Sequence, residues 1–332
     1  MSIRVAVDAM GGDLMPESNV DGALLALKDS EEVEVTLVGE ESVIRKLLEG
    51  KTYPESRLHL LNASETILPE EHPVSAIQRK KDSSMVVGLK LLSDGAADAF
   101  VSAGSTGALL VGGQTIAGRI PGIKRSPLAV LLPTMKGTSV ILDAGANVDA
   151  KPENLVQFAV MGALYAKEVL KIEDPTVGLV NIGTEEEKGN ELTRSTYPLL
   201  KECPDIHFIG NAEARDIPYG VADVYVAEAF TGNVVLKMYE GVAKALLKEI
   251  KATLMSSLRG KIGGMLIKPS LSGLKKRFDS SESGGAPMLG LKGLVVKAHG
   301  NSTSVQIRNA ILQCIEFTKA DMKNKISEKL GK

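Results

Sequence analysis

The chain has few cysteines, few aromatic residues and no strong excess of either charge. Of its 332 residues only two are cysteines, Cys203 and Cys314. They lie far apart, with no CxxC pair or Cys/His cluster, so neither disulfide bonds nor a bound metal is expected. The formal net charge of −2 at pH 7 argues against a dedicated nucleic-acid binder, which normally carries a basic excess. Reduced thiols and a ligand other than nucleic acid are the expectation.

Long apolar runs are also missing. No apolar stretch approaches the roughly 18 residues that read as a membrane span. The first residues enter a strand-like pattern at once, which leaves no room for a signal peptide. We therefore expect a cytoplasmic protein, and the 44% hydrophobic and 24% charged composition is ordinary for a soluble globular chain.

What the chain has in abundance is short apolar runs rich in Val and Ile, followed by Gly, Asn, Ser or Thr. The strand candidates are Ile3–Ala9, Val33–Val38, Leu58–Leu61, Ala99–Ser102, Ser139–Leu142, Val177–Asn181, Ile206–Ile209, Val224–Val226 and Leu294–Ala298. Helical patterns separate them, among them Asn19–Asp29, Ser84–Ser93, Pro152–Leu170 and Asn233–Leu254. This alternation predicts an α/β fold with a mostly parallel sheet covered on both faces.

Two stretches of the sequence resemble each other. Ala97–Val101 followed by Thr106-Gly107 is matched by Ala222–Val226 followed by Thr231-Gly232. Each stretch places a Thr-Gly pair where a strand leads into a helix. We interpret them as two similar βα units, with or without equivalent positions in the fold.

The segment Ala252–Phe278 differs from the rest. It contains no acidic residue, and its cations are Arg259, Lys261, Lys268, Lys275, Lys276 and Arg277. Apolar residues lie among them, namely Leu258, Ile262, Met265, Leu266, Ile267 and Leu271. We predict one α/β/α domain over residues 1–332 with a helical arm inserted at 236–283. The arm contacts a partner subunit, a membrane or an acidic carrier protein.

The turns after the strands carry the polar residues of interest. In parallel sheets ligands bind at the carboxyl ends of the strands, where glycines let backbone N–H groups face an anion. The anion- and substrate-binding candidates are Asp8, Gly11, Gly12, Ser102, Gly104, Ser105, Thr106, Gly107, Asn147, Gly183, Thr184, Thr231, Gly232, Asn233 and Gly300. Glycine also serves plain tight turns, and neither GxGxxG nor GxxxxGK[ST] is present. A phosphate-binding cleft without a nucleotide signature, and without a cofactor, is the prediction.

Several cations and one histidine accompany these turns. Lys188 is either a site residue or the partner of the neighbouring Glu185–Glu187 in a surface ion pair. The run Arg79, Lys80, Lys81 either contacts an anion or acidic partner or is a solvated face. His299 lies at a strand end and is a site candidate, whereas Lys237 is expected to be structural. No GxSxG motif occurs, so nucleophilic catalysis by a side chain finds little support.

The motifs taken together resemble the bacterial phosphate acyltransferases of phospholipid synthesis. The resemblance covers nearly the whole chain. It rests on Val5–Asp13, Ser102–Ala108, Asp143–Pro152, Asn181–Thr184, Lys188–Leu192, Phe208–Asp216, Phe230–Asn233 and Lys297–Gly300. Two positions depart from the family pattern: Ser105 stands where the family usually has Asn, and Glu228-Ala229 stands where it has Asp-Gly.

The resemblance implies a three-layer α/β/α fold like that of isocitrate dehydrogenases and phosphotransacetylases, and a homodimer. It also implies transfer of a fatty acyl group from acyl carrier protein to inorganic phosphate. A membrane-embedded acyltransferase then passes the acyl group to glycerol 3-phosphate. In this scheme Lys188, His299 and Asn181 are the catalytic candidates, and Leu258, Ile262, Leu266 and Ile267 contact the inner face of the membrane. The alternatives are a nicotinamide-dependent dehydrogenase on the same fold and a non-catalytic protein that docks the carrier protein or membrane.

Overall fold

The computed structural model describes residues 2–278 and 284–331, with the backbone alone at 269–272 and 274–278. Its strands are β1 (Ile3–Asp8), β2 (Val33–Gly39), β3 (Leu58–Asn62), β4 (Ala99–Ser102), β5 (Val130–Thr134), β6 (Gly137–Leu142), β7 (Thr176–Asn181), β8 (His207–Glu213), β9 (Val224–Val226), β10 (Ala286–Met288) and β11 (Leu294–Lys297). Its helices are α1 (Glu17–Asp29), α2 (Glu41–Leu48), α3 (Pro73–Arg79), α4 (Ser84–Ser93), α5 (Thr106–Gly112), α6 (Pro152–Glu168), α7 (Glu191–Lys201), α8 (Ala229–Met255), α9 (Leu258–Phe278), α10 (Ser304–Lys319) and α11 (Met322–Leu330).

The strands form two sheets rather than the one expected from the sequence. The first has the order β10-β11-β4-β1-β2-β3 and the second the order β5-β6-β9-β7-β8. Neighbouring strands are parallel except at one edge of each sheet, where β10 is antiparallel to β11 and β5 is antiparallel to β6. The mostly parallel α/β fold is therefore confirmed.

The two sheets are joined along their antiparallel edges. The N–H of Ala129 donates to the carbonyl of Pro287 at 3.0 Å, and the N–H of Leu289 donates to that of Pro127 at 3.0 Å. Leu128 and Met288 form an antiparallel bridge between these bonds. Hydrogen bonding thus continues from one sheet into the other, and both carboxyl edges face one cleft.

Helices cover both faces of the first sheet. On one face α1 and α10 bury Val20, Leu27, Ile307 and Ile311 against alternate residues of β1 and β2. On the other, Val86 and Leu89 of α4 pack in one cluster with Phe100, together with Ala108 and Leu109 of α5. In the second sheet, α6 packs against β6 and β9 on one face, with Leu155 and Phe158 fully buried. Three layers result, which confirms the predicted architecture.

Two strands, β5 and β10, were not predicted from the sequence. Both are edge strands, and each contains a proline, Pro133 or Pro287. Proline lacks a backbone donor and is tolerated at a sheet edge, but it weakens the strand pattern in sequence.

Helix α8 starts in the body and then leaves it. Its buried residues are Ala229, Gly232 and Leu236, all within its first three turns. Beyond them α8 runs to Met255, and α9 follows from Leu258 to Phe278. The predicted arm at 236–283 corresponds to these helices except for residues 279–283, which lie outside the described residues. The side chains of Leu271, Lys275, Lys276 and Arg277 lie outside them as well.

The contact between α4 and β4 is tight enough to test. A Cβ on Gly88 would lie 2.1 Å from Cε2 of Phe100, whose ring is fully buried. Gly88→Ala should lower the free energy of unfolding by about 1–3 kcal/mol, because overpacking displaces the ring and with it the strand. Urea unfolding at fixed protein concentration measures this. Lys90→Ala, on the exposed face of the same helix, should change it by less than about 0.5 kcal/mol. Equal effects of the two changes would contradict the tight contact.

Candidate active site

Three loops at the carboxyl edge of the first sheet pack backbone against backbone. A Cβ on Gly11 would lie 2.8 Å from the nitrogen of Gly104, and one on Gly12 would lie 2.8 Å from the carbonyl oxygen of Gly300. Gly12 also has a φ of 102°, a conformation that favours glycine. The N–H of Asp13 donates to the carbonyl of Gly300 at 2.6 Å. These glycines were expected to face an anion. In the structure they allow the loops after β1, β4 and β11 to pack against one another.

A buried carboxylate lies beneath these loops. Asp8 at the end of β1 accepts from the hydroxyl of Ser102 at 2.7 Å and from the N–H of Met10 at 3.2 Å. The hydroxyl of Ser102 in turn accepts from the N–H of Gly104 at 3.0 Å. Burial raises the pKa of Asp8, against the lowering effects of Ser102, Ser84, the Met10 N–H and the charge of Lys297. Asp8 and Ser102, both predicted from the sequence, therefore share one network.

Lys297 is a site residue that the sequence analysis did not select. It ends β11, and its ammonium donates to the carbonyl oxygens of Ala103, at 3.2 Å, and Ala298. Burial lowers the pKa of Lys297 to about 8, while the charges of Asp8 and Asp13 act in the opposite direction. The feature of the sequence that could have identified Lys297 is its position at the end of an apolar strand, just before His299-Gly300.

A second buried carboxylate organises the loop after β6. Asp143 is fully buried, and it accepts from the N–H groups of Leu128, Gly145, Ala146 and Asn147 at 2.7–3.1 Å. The amide of Asn147 also donates to Asp143 at 2.7 Å. Burial raises the pKa of Asp143, opposed by these hydrogen bonds. The predicted binding residue Asn147 lies within this loop network.

Thr231 and Gly232 lie inside α8, which begins at Ala229, and not in a loop before a helix that begins at Asn233, which corrects the sequence-based interpretation. Glu228 caps this helix, accepting from the N–H groups of Phe230 at 2.5 Å and Thr231 at 2.9 Å and from the Thr231 hydroxyl. The longer acidic side chain at this position therefore serves as the helix cap. A Cβ on Gly232 would lie 2.0 Å from the carbonyl oxygen of Asp143, so glycine lets α8 start directly against the Asp143 loop.

The start of α5 is capped in the same way. The hydroxyl of Ser105 accepts from the N–H of Ala108 at 3.4 Å, and serine caps helices about as well as the asparagine usual in the family. Thr106 and Gly107 open the helix, and a Cβ on Gly107 would lie 2.7 Å from the ring of Pro73.

A cleft of about 310 Å³ lies between the two carboxyl edges. Predicted site residues line it from both sides: Thr106, Asn233, His299 and Gly300. Lys297, Lys237 and Glu240 line it as well, so Lys237, which was expected to be structural, faces the cleft. Nε2 of His299 lies 3.8 Å from a carboxylate oxygen of Glu240. The cleft is therefore lined by two lysines, a histidine and the part of α8 from Asn233 to Glu240.

Asn181, Gly183, Thr184 and Lys188 form a separate loop after β7 and are not part of the described cleft lining. Asn181 holds this loop, since its amide donates to the carbonyl of Lys188 at 3.0 Å. Lys188 is exposed, and no carboxylate pairs with it in the part of the chain that the structure describes. Glu186 pairs with Lys201 at 2.6 Å instead.

The basic run after α3 divides in two. Lys80 is half-buried and pairs with Glu71 at 2.6 Å, whereas Arg79 and Lys81 are exposed. Within residues 2–278 and 284–331, no three His, Cys, Asp or Glu side chains come close enough together to hold a metal ion. No helix in the same ranges is both long and apolar enough to cross a membrane.

Comparison with known proteins identifies relatives along almost the whole chain. A family model described as fatty acid synthesis protein matches residues 3–325. A phosphate acyltransferase of Clostridium tetani is 47% identical over 328 residues, which cover 99% of this chain and 98% of that protein. A phosphate acyltransferase of Clostridium botulinum is 52% identical over 309 residues, or 93% and 92% of the two chains.

Solved structures of more distant proteins share the fold. A phosphotransacetylase from Streptococcus pyogenes superposes with a TM-score of 0.60 at 17% identity, covering 96% of this chain and 94% of that one. A branched-chain phosphotransacylase from Enterococcus faecalis gives 0.57 at 12% identity, covering 95% and 98%.

The Asp143 loop gives a test of the site's construction. Asp143→Ala leaves four backbone donors without their acceptor, and each unsatisfied buried group costs about 1–3 kcal/mol. We expect the free energy of unfolding to fall by at least about 3 kcal/mol, measured by chemical denaturation. Asp149→Ala, an exposed change in the same loop, is the control. A similar small effect of both would show that the carboxylate does not organise the loop.

Proposed function

The chain belongs to the fatty acid synthesis protein family, and we propose that it is a phosphate acyltransferase that moves an acyl group from acyl carrier protein onto inorganic phosphate. The observation that carries this proposal is a cleft lined by two lysines and a histidine at the carboxyl edges of parallel strands, in a chain related to named phosphate acyltransferases over nearly its full length. The product is an acyl phosphate for phospholipid synthesis.

The reaction needs no nucleophilic side chain. A phosphate oxygen attacks the thioester carbonyl, the new C–O bond forms, the C–S bond breaks, and the released thiolate takes a proton to give the free carrier thiol. The enzyme has to hold phosphate beside the carbonyl and stabilise the oxyanion that develops there. Two side chains that could otherwise act as nucleophiles are unsuited to that role. Burial raises the pKa of Cys314, which keeps it an unreactive thiol, and the Ser102 hydroxyl is committed to Asp8.

The proposed roles follow from position. Thr106, Asn233 and Gly300, which line the cleft from both sides, bind phosphate there. His299, beside Glu240, is placed to donate a proton to the leaving thiolate. We assign Lys188, which is exposed and has no carboxylate partner among the described residues, to the thioester oxyanion, and Asn181 holds its loop.

Neither alternative function draws support from a specific feature. A nicotinamide-dependent dehydrogenase would need a dinucleotide site, and the loop after β1 has no GxGxxG sequence. A docking protein without catalysis would be favoured if Glu228-Ala229, which departs from the family pattern, disrupted the site, but Glu228 caps α8.

The partners are also proposals. The acidic carrier protein docks at Arg79 and Lys81, which are exposed beside the first carboxyl edge. Lys80 contributes less because it already forms an ion pair with Glu71.

A second copy of the chain covers α8, where an apolar stripe at four-residue spacing is exposed: Val234, Met238, Val242, Leu246 and Ile250. A groove of about 570 Å³ lies along this stripe. An apolar helix face of this length needs a covering partner.

The peripheral membrane contact is assigned to α9. Leu258, Ile262, Leu266 and Ile267 are exposed, and Arg259, Lys261 and Lys268 are exposed among them. Apolar side chains enter the headgroup boundary while each cation near anionic lipid contributes about 1 kcal/mol. Docking there would deliver the acyl phosphate to a membrane-embedded glycerol-3-phosphate acyltransferase.

The reaction is tested with acyl carrier protein thioester as substrate. Free carrier thiol should appear only when inorganic phosphate is present, together with an acyl phosphate. Lys188→Ala should lower turnover roughly 10- to 1000-fold, as expected for the loss of one electrostatic donor. Lys201→Ala is the matched control, since Lys201 is exposed nearby but paired with Glu186. Thiol release without phosphate would refute the reaction, and unaltered turnover of Lys188→Ala would remove Lys188 from the site.

The membrane contact is tested with the double variant Ile262→Glu, Leu266→Glu. It should lose co-sedimentation with anionic vesicles, because two carboxylates oppose entry into the headgroup region. Turnover and a sedimentation mass of two 35.2 kDa chains should remain. Met135→Glu, at another exposed apolar position, is the control. Unchanged vesicle binding would exclude the arm as the anchor, and loss of the dimer would assign these residues to the subunit interface instead.

A further inference from the structure

Lys297 has one hydrogen-bond donor that the described contacts do not use. An ammonium group has three N–H donors. Two of them reach the carbonyl oxygens of Ala103 and Ala298. In the part of the chain that the structure describes, no carboxylate forms an ion pair with this ammonium. The remaining donor belongs to a side chain that lines the cleft.

Charged groups surround Lys297, but among the described residues none forms an ion pair with its ammonium. Asp8, at the end of β1, and Asp13, in the loop after it, interact with it through their charges. Asp8 is held by Ser102 beneath the loops, and Asp13 is exposed. Across the cleft, α8 contributes Lys237 and Glu240, and Glu240 lies 3.8 Å from Nε2 of His299. Lys297 is half-buried, and an ammonium that is partly removed from water with a donor to spare is costly unless a ligand meets it.

Resting on the proposed function, we infer that Lys297 is a catalytic residue that binds an oxygen of inorganic phosphate and holds it for attack on the thioester. Lys188, in the loop after β7, then stabilises the oxyanion that forms at the thioester carbonyl. The two lysines therefore act on different reactants. Asp8 is a positioning residue: its charge keeps the neighbouring ammonium protonated, and it touches neither substrate.

The pH dependence of the reaction follows from this arrangement. Burial lowers the pKa of Lys297 to about 8. The ammonium is therefore present below that pH and lost above it, so kcat/KM for phosphate should fall through an alkaline limb near pH 8. Asp8→Asn removes a charge that raises this pKa, and the limb should move to lower pH.

Lys297→Gln and Lys297→Met test the assignment directly. Both should lower kcat/KM for phosphate about 100- to 1000-fold, while KM for the acyl carrier thioester stays within about threefold. The residual rate of Lys297→Gln should show no alkaline limb, which a purely structural lysine would not explain. Lys292→Gln, an exposed change beyond the other end of β11, is the control for kinetics and for thermal stability.

A binding measurement separates this inference from the proposed reaction. Inorganic phosphate should raise the thermal midpoint of the wild type and of Lys292→Gln through linkage, but not that of Lys297→Gln. If the wild type makes no acyl phosphate yet phosphate protects it in a Lys297-dependent way, the reaction is wrong and the phosphate contact stands. Lys297→Gln with turnover within about threefold of wild type, with the alkaline limb retained, or with full protection by phosphate would overturn the contact. An unmoved limb in Asp8→Asn would remove the role of Asp8.

Discussion

The carboxyl edge of the first sheet depends on loop backbones meeting with no side chain between them. Gly11 faces the nitrogen of Gly104, and Gly12 faces the carbonyl of Gly300, at separations that a Cβ does not tolerate. With the loops closed in this way, water is kept from Asp8, and Lys297 is half-buried. A carboxylate and an ammonium with little access to water interact more strongly than they would in solvent. The electrostatics of the cleft therefore follow from a steric requirement.

In the second sheet, a buried carboxylate and not a set of glycine contacts holds the loop at the carboxyl edge. There the loop after β6 is held by the carboxylate of Asp143, which gathers backbone N–H groups that would otherwise lack acceptors. The start of α8 rests on this loop through Gly232. One wall of the cleft is thus organised by glycine contacts and the other by a buried anion, and α8 connects the second wall to the exposed helices beyond it.

Much of this arrangement could be predicted from the sequence, because parallel strands bring their carboxyl ends to one edge. The two βα units with similar sequences lie in corresponding places, since β4 and β9 are each third from the antiparallel edge of their sheet. Their helices start two residues apart relative to the Thr-Gly pair, which is why Thr231 lies inside α8 and not in a loop. Lys297 was missed because side-chain burial and the two carbonyls that hold it come from tertiary packing. The joining of two sheets was missed because it depends on short, proline-containing edge strands whose pattern is weak.

The joined edges also determine how the sheets face other chains. Since β5 and β10 meet each other, the open edges in the described part of the structure are β3 and β8. His59 on β3 lies 3.9 Å from Glu34, and His207 on β8 contacts Asp174 at 2.8 Å. The pairing of β7 with β8 also shifts register between Val177 and Leu179. Polar side chains and irregular register discourage the addition of a foreign strand. Aggregation by edge-to-edge pairing is therefore disfavoured, although both sheets are rich in the β-branched residues that promote it.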